Sequence, residues 1–312
     1  MTAAQLADGL AGLIPAKERI LRTAARLPPG WRSRQSCRLF SALARRTALS
    51  RPTLSGNLGI SSRLACDVPA THMVALYGMP ALYAGERGSL ELAARLSRFC
   101  AAFVDIGAHV GYFTFYVHMR GAADRPIYFF EPDRTLYAAL DRNVRRNQLE
   151  QVHGYQHAVG AQDGTTRFFV NRTDTLSGSL DAGFAGTHDV EAMDVTIERF
   201  ETIAQRLQLE RACVKVDVEG AEAEFLAGAD GALDRISYLI MEVLGPAHQR
   251  RFVPAMMARG GFHAYYINDY TLEHSIDGTF TYRAPEYNWL FCRDAPQQLA
   301  VKIGAPPLQV SA

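Results

Sequence analysis

At 312 residues, with 48% hydrophobic side chains and 33 Lys+Arg against 32 Asp+Glu, the chain can build a substantial core and lacks the composition of a disordered protein. No run of about 18 apolar residues occurs, which excludes a spanning helix, and five cysteines at wide spacing without a Cys-x-x-Cys pair argue against a disulfide or zinc framework. The near-zero charge hides an asymmetry: residues 1–65 hold 11 Lys+Arg against Asp8 and Glu18, net +9, and the remainder has 22 basic against 30 acidic residues, net −8.

In chain order, Leu6, Leu10, Leu13 and Ile14 recur at helical spacing, and residues 33–46 mix apolar and Arg positions in the same way. Two short helices are predicted, separated by Pro28, Pro29 and Gly30. The opening lacks a basic start followed by an uninterrupted apolar stretch, so a cytoplasmic location is expected. The basic lead of residues 1–65 suits peripheral contact with the inner membrane face or an anionic carrier, with a solvated tail as the alternative. Three parts are expected: a mainly helical extension over 1–75, a body over 76–295 and a tail over 296–312.

Within the body, residues 89–100 read as helix, and 102–106 form a short apolar run that stops at Gly107. A second strand over 126–130 ends in Glu131 and Pro132, followed by an amphipathic helix over 136–147 and a third strand over 152–159. A polar insertion over 168–194 precedes strands at 211–218 and 236–243, with a helical stretch over 221–226 between them. Strands alternating with helices predict an α/β fold with a parallel sheet. Residues 262–267 and 289–292 flank a turn-rich segment, 270–282, and fit an antiparallel pair at the sheet edge.

The first strand and turn read Phe103-Val104-Asp105-Ile106-Gly107-Ala108-His109-Val110-Gly111. Glycines at the carboxyl end of a strand let backbone approach a ligand. A dinucleotide loop requires Gly-x-Gly-x-x-Gly, and Ala108, His109 and Val110 do not supply the middle glycine. Asp105 would repel a phosphate and attract a cationic, amino-acid-like or sulfonium ligand, of which S-adenosylmethionine is one. Glu131, ending the next strand, can accept hydrogen bonds from both hydroxyls of a ribose. Lys215 and Asp217 share one strand face, opposite Val214, Val216 and Val218, with Glu219 at the strand's mouth. A Lys in an apolar strand needs a partner, either Asp217 or Glu242.

Four blocks, FVDIGAHVGYFT, FFEP, VKVDVEGAE and NWLF, resemble the FkbM-type S-adenosylmethionine-dependent methyltransferases, with weaker echoes in 143–147, 157–164 and 239–243. The resemblance spans roughly residues 78–293 and implies a Rossmann-like class I methyltransferase: a mostly parallel seven-stranded sheet with an antiparallel edge hairpin, here following an N-terminal helical extension. It implies that Asp105, Gly107, Ala108 and Gly111 line the methionine side of the cofactor, that Glu131 takes the ribose, and that Gln156 and Ala158 lie near the adenine. His109 departs from the Asn usual at its position.

The implied activity is O-methylation of a hydroxyl on a sugar, in a polysaccharide or glycolipid, or on a polyketide. Asp217, Glu219, Glu242 and Lys215 are the candidate catalytic group, with Asp217 favoured as the base. Three carboxylates can also gather a divalent cation, but the family pattern demands none and no metal is expected. The insertion over 168–194 is the candidate for acceptor recognition. Tyr265, Tyr266, Tyr270, Tyr282 and Tyr287 are candidates for stacking on a sugar ring. A nicotinamide oxidoreductase on a similar sheet and a non-catalytic methyltransferase-like binding module are the other readings. Nucleic acid is not expected as a partner, because the body is acidic.

Overall fold

The computed structural model describes residues 53–56, 60–61, 63–69, 80–171, 178–181, 190–243, 246–279 and 287–311. The helices expected within residues 1–46 lie outside these segments. Described first is a short antiparallel pair, β1 (Thr53–Gly56) with β2 (Cys66–Pro69). Helix α1 (Pro80–Ser97) begins nine residues before the predicted helix. It carries Leu90, Leu92 and Leu96 into the core and holds an Arg95–Glu91 ion pair of 2.8 Å.

The body alternates as predicted: β3 (Ala102–Ile106), α2 (Tyr112–Arg120), β4 (Ile127–Phe130), α3 (Arg134–Arg146) and β5 (Val152–Tyr155). Asp133 caps α3, its carboxylate accepting from the amides of Thr135 at 2.6 Å and Leu136 at 3.0 Å. Further on come α4 (Phe200–Arg206), β10 (Ala212–Val216), α5 (Glu222–Ala229), β11 (Ile236–Glu242), α6 (Pro246–Gly260), β12 (His263–Asn268), β13 (Thr271–Ser275) and β14 (Asn288–Cys292). The chain closes with α7 (Pro296–Ile303) and β15 (Gln309–Ser311).

The main sheet runs β15-β13-β12-β14-β11-β10-β3-β4-β5. Strands β5, β4, β3, β10 and β11 are mutually parallel, and β14 lies antiparallel between β11 and β12. These seven strands form the expected Rossmann-like sheet, and β3, where the strand order reverses, is the position at which such sheets bind ligands. Strand alternation splits the core between the two faces. Phe103, Cys213, Ile240 and Leu290 pack beneath α1, α2 and α3, whereas Val104, Val214, Leu239 and Phe291 pack against α4, α5 and α6. Each fully buried aliphatic or aromatic side chain contributes about 1.5–3 kcal/mol of transfer free energy.

Four expectations are corrected. The single strand over 152–159 divides at Gln156: β5 stays in the main sheet, and β6 (His157–Val159) turns away to pair with β9 (Val190–Glu198) in a second sheet. The insertion over 168–194 is not polar loop throughout, because β7 (Gly164–Asn171), β8 (Gly178–Ser179) and β9 (Val190–Glu198) complete that sheet. Its core is Ala158, Phe168, Val170, Val195 and Ile197, and the alternation in the last four positions is the period of two that makes them strand. Within 270–282, Thr271–Ser275 is strand β13, which widens the edge pair. At the end of the chain, β15 pairs with β13 as a ninth strand, and α7 packs on α1 where Arg95 donates to the Ile303 carbonyl.

Strand β2 is fastened to α3 by side chains that imitate a strand edge. Asn147 accepts from the Ala65 amide and donates to the Ala65 carbonyl, both at 2.9 Å. Asn143 does the same for Asp67 at 2.8 and 2.9 Å, and Arg146 pairs with the Asp67 carboxylate at 2.8 Å.

Candidate functional site

The turn after β3 is shaped by the protein's own backbone. Gly107 has φ +74°, and a Cβ there would lie 1.8 Å from the Asp217 carbonyl oxygen. Gly111 has φ +85°, and its Cβ would lie 2.1 Å from Leu140. Both glycines are therefore required by conformation and packing, not only by ligand approach. The amides of Gly107 and Ala108 donate to the Phe130 carbonyl at 3.0 and 3.1 Å, so this part of the turn offers a ligand little beyond its lack of bulk. His109 has φ +54°, a conformation that Asn and His tolerate better than most residues, which accounts physically for His where the family usually carries Asn.

Asp105 and Glu131 stand at the ends of adjacent strands, as expected. Asp105 is fully buried, and its Oδ2 accepts from the Thr114 amide at 2.9 Å and the Thr114 hydroxyl at 2.6 Å. Its Oδ1 is buried without a hydrogen-bond partner among the described residues. Burial raises its carboxyl, opposed by the Lys215 ammonium and by Thr114. Glu131 accepts from the amides of His109 at 2.7 Å and Asp133 at 2.9 Å. Burial still pushes it up to about 8. Each of its oxygens keeps a lone pair after accepting one amide hydrogen.

Gln156 sits, half-buried, where the chain leaves the main sheet, and the side chain of Ala158 is committed to the second sheet's core. What Ala158 can offer a nucleobase is therefore its backbone.

Lys215 lies beside Asp105 in register, and its Nζ reaches Asp217 Oδ2 at 2.8 Å and stands 4.9 Å from the centre of the Phe113 ring. Asp217, not Glu242, is thus its ion-pair partner. Burial opposes the charge on Lys215, but the carboxylates of Asp217, Asp105 and Glu86 outweigh it and hold the ammonium above its ordinary value. For Asp217 the Lys215 charge, together with a hydrogen bond from Glu242, overcomes burial and keeps the carboxylate ionised. Glu242 carries the opposite shift, raised well above its ordinary value by burial and by the charges of Asp217 and Glu219.

Asp217, Glu219 and Glu242 each bring one oxygen within 4.8 Å of the others. The Lys215 ammonium offsets part of the negative charge of this trio. Glu219 has φ +48°, and its carbonyl accepts from the Ser179 hydroxyl at 2.6 Å, which ties the second sheet to the mouth of β10.

Residues that pattern reading missed complete the site. Thr114 is the fixed partner of Asp105, Ser179 joins the second sheet to Glu219, and the carboxyl of Glu86 on α1 is pushed up to about 7 by burial, with the charges of Lys215 and Asp217 acting on it. The expected stacking surface is corrected: Tyr265 and Tyr266 are fully buried, Tyr265 donating to the Asp294 carbonyl at 2.6 Å. Tyr282 lies outside the described residues, and Tyr270 and Tyr287 are half-buried.

The donor set fits a cationic nucleoside. The unpartnered Asp105 oxygen suits a positively charged donor, Glu131 suits a diol, and the glycine turn lies between them.

Over 162 residues the chain is 26% identical to Methyltransferase 1 of Beauveria bassiana (strain ARSEF 2860), a match covering 45% of this chain and 63% of that protein. Among solved structures, a putative O-methyltransferase from Klebsiella pneumoniae aligns with a TM-score of 0.40 at 13% identity, covering 87% of this chain and 93% of that one. M. jannaschii TYW2 in complex with AdoMet aligns with a TM-score of 0.40 at 13% identity, covering 77% and 84%. Residues 105–264, about half of the chain, match the family described as the methyltransferase FkbM domain, and the chain belongs to that family.

Proposed function

We propose that the protein is an S-adenosylmethionine-dependent O-methyltransferase whose acceptor is a hydroxyl of a sugar in a polysaccharide or glycolipid. The observation that carries this reading is the pairing of Asp105 and Glu131 at adjacent strand ends with an ionised Asp217 one strand away. S-adenosylmethionine, when bound, supplies a methyl group activated on a sulfonium sulfur. Asp105, Gly107, Ala108 and Gly111 would hold its amino-acid end, Glu131 its ribose, and Gln156 with the Ala158 backbone its adenine.

The remaining work falls to β10 and β11. An alcohol is too weak an acid to ionise in advance, so its proton must leave as the new bond forms. Asp217, ionised and fixed by Lys215, accepts that proton. Glu219, at the strand's mouth, is placed to orient the hydroxyl. The excess of carboxylates over Lys215 repels an anionic acceptor and favours an uncharged hydroxyl. Acceptor recognition by the second sheet is supported by the Ser179–Glu219 contact.

Against a nicotinamide oxidoreductase stand the acid before the turn and the missing middle glycine. Parallel titrations with S-adenosylmethionine and with NADH test the choice. Sub-millimolar binding of the first and none of the second is expected, and the reverse would overturn the reading.

A further inference from the structure

The second sheet reaches the site through a buried hydroxyl. Ser179 ends β8, which pairs with β7 at Phe169 and Val170, and the next residue, Leu180, packs into the core of that sheet. The sheet is also seated on α5, where a Cβ at Gly228 would stand 1.9 Å from the carbonyl oxygen of Gly160, the residue after β6. Seated in this way, the fully buried Ser179 donates its hydroxyl to the Glu219 carbonyl at 2.6 Å. The Asp181 amide donates to the same hydroxyl oxygen at 3.0 Å, which leaves the hydroxyl hydrogen for Glu219.

Glu219 needs such a partner. Its φ of +48° is one that a residue with a Cβ keeps only when its surroundings hold it there, and Gly220 follows at +95°. Asp217, two residues earlier, is fixed from the other side: its amide donates to the Ile106 carbonyl at 3.0 Å, and its own carbonyl lies against Gly107. The turn after β3 therefore holds Asp217 and β8 holds Glu219, although their carboxylates and that of Glu242 come within 4.8 Å of one another.

We propose that Ser179 is a positioning residue: its hydroxyl keeps Glu219 in the left-handed conformation that sets the carboxylate against the acceptor hydroxyl, so that the second sheet governs acceptor binding and leaves the cofactor and Asp217 undisturbed. This rests on the role given to Glu219 above.

The hydrogen bond can be read without any ligand, because Glu219-Gly220 is the only Glu-Gly pair in the sequence. In the full chain labelled with ¹³C at glutamate carbonyls and ¹⁵N at glycine, a carbonyl-to-amide NMR spectrum gives a single Glu-Gly signal. That signal should move when Ser179→Ala removes the donor and stay near its wild-type position in Ser179→Thr, which keeps a hydroxyl. If Ser179→Ala does not fold, Ser179→Cys, whose thiol is a weaker donor, should move the signal instead. A signal that stays in place when the hydroxyl is lost overturns the proposal.

Methyl transfer from S-adenosylmethionine to a panel of p-nitrophenyl glycosides reads the consequence. Ser179→Ala should raise the acceptor KM roughly tenfold, with kcat reduced less than about threefold and cofactor Kd within about twofold, and Ser179→Thr should restore the acceptor KM. In a Glu219→Ala background the same Ser179→Ala change should add less than about twofold, because the hydroxyl acts through Glu219. Equal losses in both backgrounds, or a parallel loss of cofactor binding, would overturn the proposal. If the wild type methylates no glycoside, the acceptor class proposed above fails, and the NMR signal alone decides whether Ser179 holds Glu219.

Discussion

Replacing Lys215 with Met would leave Asp105 and Asp217 buried without their nearest cation, whereas the native ammonium bonds Asp217 at 2.8 Å. Removing one partner of a buried pair costs about 3–5 kcal/mol. Lys215→Met should lose stability of that order in urea unfolding at pH 7. Part of it should return at pH 5, because the orphaned carboxylates gain raised folded-state values and their protonated forms then stabilise the fold. A loss below about 1 kcal/mol, equal at both pH values, would mean that Lys215 does not compensate them.

Glu131 gives a second prediction at this scale. Its carboxyl is raised to about 8 against an ordinary 4.5, so its protonated form favours the fold below pH 4.5 and that contribution fades as pH rises through 8. A ribose diol donating to the carboxylate favours the ionised form. S-adenosylmethionine should therefore bind more tightly as pH rises from 7 to 9 and release protons, as calorimetry in buffers of different ionisation enthalpy can record. Glu131→Gln should bind more weakly with no such dependence, and an unaltered pH dependence in that variant would place the ribose elsewhere.

Sequence legibility at the residue scale depended on distance along the chain. Asp105, Glu131 and Asp217 end apolar runs and could be read locally. Ser179 is one hydroxyl in a polar insertion, and its partner Glu219 lies 40 residues away, so only the fold brings the two together. The glycines of the first turn were legible as special, but the reason was incomplete, because the space their Cβ atoms would need is occupied by Asp217 and Leu140.

Among elements, the strands that stop at Gly107, Glu131 and Asp217 were readable from their apolar runs. The split at Gln156 was not, because a strand that changes sheets keeps the same composition on both sides of the change. Asn143 and Asn147 were visible as a motif but not as the clamp on β2, which depends on a segment 76 to 82 residues away. A fully buried backbone group left unsatisfied costs about 1–3 kcal/mol, and these half-buried groups cost less. Asn143→Ala and Asn147→Ala should therefore speed hydrogen exchange at the Ala65 and Asp67 amides while leaving β3 and β10 protected. Unchanged exchange at Ala65 and Asp67 would show that the hairpin is held by other contacts.

Across the whole molecule, the parallel order of β5, β4, β3, β10 and β11 gathers at the carboxyl ends of the strands residues that the sequence keeps more than 100 positions apart. Among the described residues no helix is long and apolar enough to cross a membrane. The net charge of +9 in residues 1–65 motivates a test of electrostatic attachment to anionic lipid. Vesicles containing anionic lipid should retain the full chain at low salt more than a chain lacking residues 1–65. Equal retention would contradict a membrane role for that segment.

Calorimetric titration of S-adenosylmethionine into the wild type, Asp105→Asn and Asp217→Asn tests the site as a whole, because the two carboxylates have different tasks. The expected result is sub-millimolar binding to the wild type, a loss of about tenfold or more in Asp105→Asn, and affinity within about threefold in Asp217→Asn, whose defect would appear in methyl transfer. No binding to the wild type, or full affinity in Asp105→Asn, would contradict the placement of the cofactor at the end of β3.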